Sequence, residues 1–272
     1  VLHLTRHAGC LRDMSSIFDV LGVRNEHTRF TARFNLEEHV AADIWQQQKE
    51  YFNSFDFVLT SDSASISRVF LPFIDSLRGK LVIYISNRFD YNMRKDSAFR
   101  ELFKKGTERR DKVQYVPYCH YEKLHCLKMG IDVQDRPTIH PLGELPLYAF
   151  DTYWEKKGYG PQGDPMAERQ VMEEGKDYRD TYFLNPYANE QDGPLRKLLW
   201  EAGVEYFLGH SPQGATPFKA MVVFPVQVCN YAAFEAVQRG VLAIMPSREL
   251  IKATLRREHA DWPYVFYPDD RC

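Results

Sequence analysis

The sequence has little net charge, few cysteines and no long apolar run. Lysine and arginine number 35 against 37 aspartate and glutamate, a net charge of −2. No global field exists to steer a polyanion or hold a membrane surface, so nucleic-acid binding is not expected. The longest stretch without a charged residue, Ala220 to Phe234, contains Pro225, Gln227 and Asn230. It is too short and too polar to span a bilayer, and no transmembrane segment is expected in this chain. Val1 opens directly on the strand-like VLHLT, not on a basic region followed by an apolar one, so no signal peptide is expected. Cys10, Cys119, Cys126, Cys229 and Cys272 are scattered, and no Asn-x-Ser/Thr sequon occurs. Both features lean toward a reducing, cytoplasmic compartment.

What is present is a globular composition: 272 residues, 44% hydrophobic, 26% charged and 14% aromatic, enough for two modest α/β domains or one large one. Strand-like runs at Val1–Thr5, Phe55–Thr60, Lys80–Ser86, Val113–Val116, Thr181–Leu184, Val204–Leu208, Lys219–Phe224 and Val241–Met245 alternate with helical periodicity at Leu36–Phe52, Ser97–Lys105, Tyr121–Met129, Pro194–Glu201 and Tyr231–Arg239. That alternation predicts strand–helix–strand units with parallel sheets, buried on both faces where LVIYI and AMVVF run without polar interruption. The segment from Gly143 to Tyr178 lacks clean periodicity and is rich in Gly, Pro and Tyr. The expected division is therefore a first domain over residues 1–143, an irregular crossing segment over 144–178 and a second domain over 179–272.

In parallel sheets ligands bind beyond the carboxyl ends of the strands, where loops turn into helix N-termini. The residues at those positions are polar: Arg6-His7-Ala8-Gly9, Thr60-Ser61-Asp62-Ser63, Ser86-Asn87-Arg88-Phe89-Asp90, Asn185 to Glu190, Gly209-His210-Ser211 and Pro246-Ser247. Gly158-Tyr159-Gly160-Pro161-Gln162-Gly163 has the spacing of a dinucleotide fingerprint but follows WEKK, not a strand, and reads as linker. Cys119-His120 and His125-Cys126 lie five apart, which does not share a helix face, so they read as the start of a helix with buried thiols and not as a metal site.

Two families share motifs with the chain. Residues Phe218–Pro225, then Asn230 to Ser247, form a strand, a turn, a helix with Glu235 in its middle, a Gly240 stop and a second strand ending in Pro-Ser. This resembles the donor-binding half of GT-B glycosyltransferases. The resemblance implies two Rossmann-like parallel-sheet domains facing across a cleft, with a sugar moved from a nucleotide-diphosphate-sugar donor to a hydroxyl of a carbohydrate or glycoconjugate acceptor. It implies donor contacts at Tyr187, Asn189 and Glu190, and a base-binding loop over 209–214 that includes Gly209 and His210. It further implies a diphosphate site at the helix N-terminus formed by Asn230 and Tyr231 with Lys219, and a ribose contact at Glu235. On the acceptor side it implies Gly9, Asn87, Arg88 and Asp90, with His7 or Asp62 as the group that takes a proton from the attacking hydroxyl. No metal or other cofactor is implied. Ala243 stands where many retaining members carry a second Glu, and the chain beyond residue 143 is short for a complete second domain, so a compact or truncated form is expected. The strand end Leu4 to Gly9 also resembles the Arg-His-Gly motif of histidine phosphatases, which would make His7 a phosphorylated nucleophile, supported by Ser61, Arg68 and His210. A catalytically inactive carbohydrate-binding relative is the third possibility.

Overall fold

The computed structural model describes residues 1–6, 8–29, 36–86, 89, 96–138, 170–171, 175–184, 199–207, 209–210, 217–223, 236–237, 240–245 and 247. The chain forms two compact units, one within Val1–Leu142 and one within Gly143–Phe266. Each carries a sheet whose described strand pairs are all parallel, so the protein is α/β.

In the first unit β1 (Leu2–Thr5), β2 (Glu26–Arg29), β3 (Phe57–Thr60), β4 (Lys80–Ile85) and β5 (Val113–Pro117) lie in the order β2-β1-β3-β4-β5. α1 (Ala8–Val20) connects β1 to β2, α2 (Glu38–Phe52) connects β2 to β3, α3 (Ser97–Gly106) connects β4 to β5, and α4 (His120–Lys128) follows β5. Two short 3-10 helices, Ala64–Val69 and Leu71–Ser76, lie between β3 and β4. The connection from β1 to β2 runs the opposite way along the sheet from all later ones. Right-handed crossovers therefore put α1 on one face and the other helices on the opposite face.

The two faces differ in chemistry. Leu2, Leu4, Val58, Leu81, Ile83, Ile85, Val113 and Tyr115 pack with Trp45 and Phe52 of α2, with Phe70 between the two 3-10 helices, with Phe99 and Phe103 of α3, and with Cys126 of α4. Trp45 stacks on Phe73 at 5.4 Å, and Phe103 meets Tyr115 edge-on at 4.8 Å. The Tyr115 hydroxyl donates to the Phe103 carbonyl at 2.8 Å, and a Cβ at Gly106 would strike that hydroxyl, which is why α3 ends on glycine there. Arg68 is buried on this side and pairs through two nitrogens with Asp96, the N-cap of α3, at 2.6 and 3.2 Å.

On the other face the pleat positions His3, Thr5, Ser61, Tyr84 and Ser86 are all buried, beside the apolar Leu59 and Val116. α1 covers them with a polar stripe: Cys10 Sγ lies 3.2 Å from Ser86 Oγ, the Tyr84 hydroxyl donates to Asp13 at 3.1 Å, and Ser15 Oγ lies 3.1 Å from His27 Nε2. This explains two elements not foreseen from the sequence. α1 lacks an unbroken apolar stripe because Asp13 and Ser15 face inward. β2, with the sequence EHTR, looks polar because His27 pairs with His3 on this same face. Gly22, at φ 62°, ends α1 with a Schellman turn in which Val23 N–H donates to the Phe18 carbonyl at 2.8 Å and Gly22 N–H donates to Asp19 at 3.1 Å.

In the second unit β7 (Tyr182–Leu184), β8 (Tyr206–Phe207), β10 (Ala220–Val222) and β11 (Leu242–Ile244) lie in the order β11-β10-β7-β8. β6 (Gln170–Val171) pairs separately with β9 (Gly209–His210). Phe183, Phe207 and Phe218 stack at 5.0–6.2 Å with Tyr178, Met221, Val223, Ala236 and Val241 around them. Gly240, at φ 73°, closes the helical stretch 236–237 by the same Schellman pattern, Val241 N–H to Ala236 at 2.8 Å and Gly240 N–H to Val237 at 3.0 Å. The glycine stop expected at Gly240 is present. Among the described residues no helix is long and apolar enough to cross a membrane.

Burial of His3, together with the neighbouring His27, pushes its imidazole down to about 3. In the unfolded chain it titrates near its ordinary value of about 6.5, so below that pH the unfolded state holds a proton that the native state lacks. His3 therefore imposes no loss above pH of about 6.5 and a progressive loss of stability from there down to about 3, with a slope of up to about 1.4 kcal/mol per pH unit. Urea denaturation across this range is expected to show the slope in the wild type and a flatter profile in His3→Gln. Equal slopes would contradict the assignment.

Candidate functional site

Strand order reverses between β1 and β3 in the first unit, and between β7 and β10 in the second. At such switch points the loops from adjacent strand ends diverge and leave a crevice at the carboxyl edge. In the first unit that edge is formed by Arg6, the first turn of α1 with Gly9, the Ser61–Ser65 turn and Ser86. The first-turn N–H groups of α1 lack helical acceptors and give this end a partial positive charge.

Asp62 is the non-glycine residue with positive φ, 72°, among the described residues. Its backbone N–H donates to Ser86 Oγ at 2.9 Å, and Ser86 Oγ also meets Cys10 Sγ, so one hydroxyl ties the ends of β3 and β4 to the start of α1. Ser63 and Ser65 share a hydrogen bond at 2.8 Å in the same turn. Beyond β4, Phe89 is buried against Phe103 at 5.2 Å. A half-buried carboxylate on a backbone held by three elements suits a proton acceptor whose position must not drift.

Beneath this edge lies a relay that sequence reasoning missed. Ser61 Oγ is 2.8 Å from His3 Nε2, His3 Nδ1 is 3.3 Å from His27 Nδ1, His27 Nε2 is 3.1 Å from Ser15 Oγ, and Ser15 Oγ donates to the Leu11 carbonyl at 2.7 Å. The signal in the sequence is a polar residue on this pleat face at each strand end: His3 and Thr5 in β1, Ser61 after β3 and Ser86 after β4.

Of the expected site residues, His7, Asn87, Arg88, Asp90, Tyr187, Asn189, Glu190, Asn230, Tyr231 and Glu235 lie outside the described residues, as does the 158–163 glycine segment. Gly9 is in the first turn of α1, and Asp62 is at the switch point. Gly209 and His210 form strand β9 where a loop was expected. Lys219 requires correction. It precedes β10 at the amino end, opposite the edge where the loops after β7 and β10 depart, and its ammonium sits 5.3 Å over the Tyr182 ring. It is not carried forward as a diphosphate ligand. Arg68, needed by the phosphatase alternative, is taken up by Asp96 and by the Leu36 carbonyl at 2.9 Å, and Ser61 by His3. Cys119 stands at the N-cap position of α4 and is buried together with Cys126, while His125 packs against Phe89 at 5.7 Å, as expected of a helix start with buried thiols.

Comparison with family models, curated proteins and solved structures finds no match to this chain.

A side chain in the left-handed region costs about 1–2 kcal/mol, less for Asp than for branched residues. Asp62→Gly is expected to hold or raise stability by up to about 1 kcal/mol, and Asp62→Val to lower it by more than about 1 kcal/mol, in chemical denaturation. Equal effects would remove backbone conformation as the constraint at this position.

Proposed function

We propose that the protein is a glycosyltransferase of the GT-B type, moving a sugar from a nucleotide-diphosphate-sugar to a hydroxyl acceptor. The observation that carries the reading is that both units wind alike, with the first strand inside the sheet and the switch point between first and third strands. The residues assigned to acceptor and donor follow those strand ends in the chain: His7 after β1 and Asp62 after β3, then Tyr187, Asn189 and Glu190 after β7 and Asn230, Tyr231 and Glu235 after β10.

In this reading Asp62 or His7 takes the proton of the attacking hydroxyl. Developing charge on the leaving diphosphate is met by the N-terminus of the helix that the Gly240 turn ends, and the Glu235 carboxylate accepts hydrogen bonds from the vicinal ribose hydroxyls. Ala236, the next residue in the chain, is buried in the phenylalanine cluster.

A ligand that binds only the native state stabilises it by about 2.7 kcal/mol at a hundredfold excess over Kd. A panel of nucleoside diphosphates is expected to include one that raises Tm, with the rise abolished in Glu235→Ala. No rise with any of them, together with hydrolysis of an aryl phosphate lost in His7→Ala, would overturn the reading in favour of a phosphohydrolase.

A further inference from the structure

The hydrogen bonds beneath α1 have one consistent direction when both imidazoles are neutral. The Leu11 carbonyl can only accept, so at 2.7 Å the Ser15 hydroxyl hydrogen is committed to it. Ser15 Oγ must then accept from His27, which puts the His27 hydrogen on Nε2 and leaves its Nδ1 bare. The bare Nδ1 accepts from His3, which puts the His3 hydrogen on Nδ1 and leaves Nε2 to accept the Ser61 hydroxyl hydrogen. Each of the four contacts then has one donor and one acceptor.

We propose that His27, His3 and Ser61 form a one-proton switch, in which protonation of His27 reverses the tautomer of His3 and releases the Ser61 hydroxyl hydrogen toward the carboxyl end of β3. In the neutral state the three side chains hold three exchangeable hydrogens, on His27 Nε2, His3 Nδ1 and Ser61 Oγ. Adding one proton from solvent makes four, and both His27 nitrogens become donors. His3 Nδ1 must then accept, so its hydrogen moves to Nε2 and is donated to Ser61 Oγ. The Ser61 hydrogen turns to another acceptor, one residue from Asp62. No bond other than N–H and O–H changes, and the single added charge resides on His27.

The surroundings suit that division. His3 is fully buried within β1, whereas His27 is half-buried on the edge strand β2, so the charge settles where water can reach it. Burial and the second imidazole both oppose a cation at His3, which therefore passes a hydrogen without becoming charged. Against the His27 ring lie His3 from β1, at a centroid distance of 5.3 Å, and Ser15 and Phe18 from α1, the latter stacked at 6.5 Å. α2 sends Tyr51 to Glu26, next to His27 on β2 but on the other pleat face. The N-terminal amine of Val1 is engaged by the Arg24 carbonyl at 2.9 Å. The switch does not depend on the proposed activity.

Long-range 1H–15N correlation of histidine-labelled protein, titrated from about pH 8 to about pH 5 around the ordinary histidine value, reads the tautomers directly. The nine histidines are resolved by loss of the His3 signals in His3→Gln and of the His27 signals in His27→Phe. The wild type is expected to show His3 in the Nδ1–H form at high pH and in the Nε2–H form at low pH, with the same midpoint as His27. In His27→Phe the His3 tautomer is expected not to change with pH. A His3 tautomer that stays constant while His27 titrates, a doubly protonated His3, or a tautomer change that survives in His27→Phe would overturn the proposal. If either variant fails to fold, through-bond correlation of each imidazole to its own assigned backbone identifies the His3 and His27 signals, and the wild-type titration then decides the matter.

Discussion

The buried polar face of the first sheet is the constraint on which the rest of that unit depends. His3, Ser61, Tyr84 and Ser86 are all removed from water, and a buried polar group without a partner costs about 1–3 kcal/mol. α1 meets that demand through Cys10, Asp13 and Ser15, and it does so only in one rotation about its axis and one height along the strands. Apolar packing tolerates sliding better than directional hydrogen bonds do, so this seam sets the position of α1. The position of α1 in turn sets where its N-terminus meets the ends of β1, β3 and β4.

The same seam shapes the candidate site. Ser86 Oγ receives the N–H of Asp62 and the contact from Cys10, so the left-handed backbone at Asp62 is held by the atom that also seats the helix. A strained residue persists only where its surroundings over-determine it, and here they belong to three separate elements. The opposite face of the sheet, built from Trp45, Phe52, Phe70, Phe99, Phe103 and Tyr115, supplies apolar burial and takes no part in this edge.

That division explains what was legible in the sequence. β1, β3, β4, β5, α2, α3 and α4 show strand or helix periodicity because at least one face of each is apolar. α1 and β2 do not, because Asp13, Ser15 and His27 turn toward the sheet and interrupt the apolar pattern that Cys10, Leu11 and Met14 begin. Asp62 was legible as the residue after a strand. Its link to Ser86 was not, since partners 24 residues apart meet only through sheet order. His3 and His27 went unnoticed because each stands within a short strand, and the register that sets them side by side required knowing that β2 pairs with β1. Lys219 was legible as well: it opens its strand, which in a parallel sheet is the amino edge, away from the loops that follow β7 and β10.

The central claim is that Ser15 and Ser61, which share no hydrogen bond with each other, belong to one oriented unit through His27 and His3. A double-mutant cycle of Ser15→Ala and Ser61→Ala in urea denaturation tests it most directly. Independent sites add within about 0.3–0.5 kcal/mol, whereas members of one network deviate by about 0.5–3 kcal/mol. The account predicts a coupling above about 0.5 kcal/mol. Additive losses would contradict it.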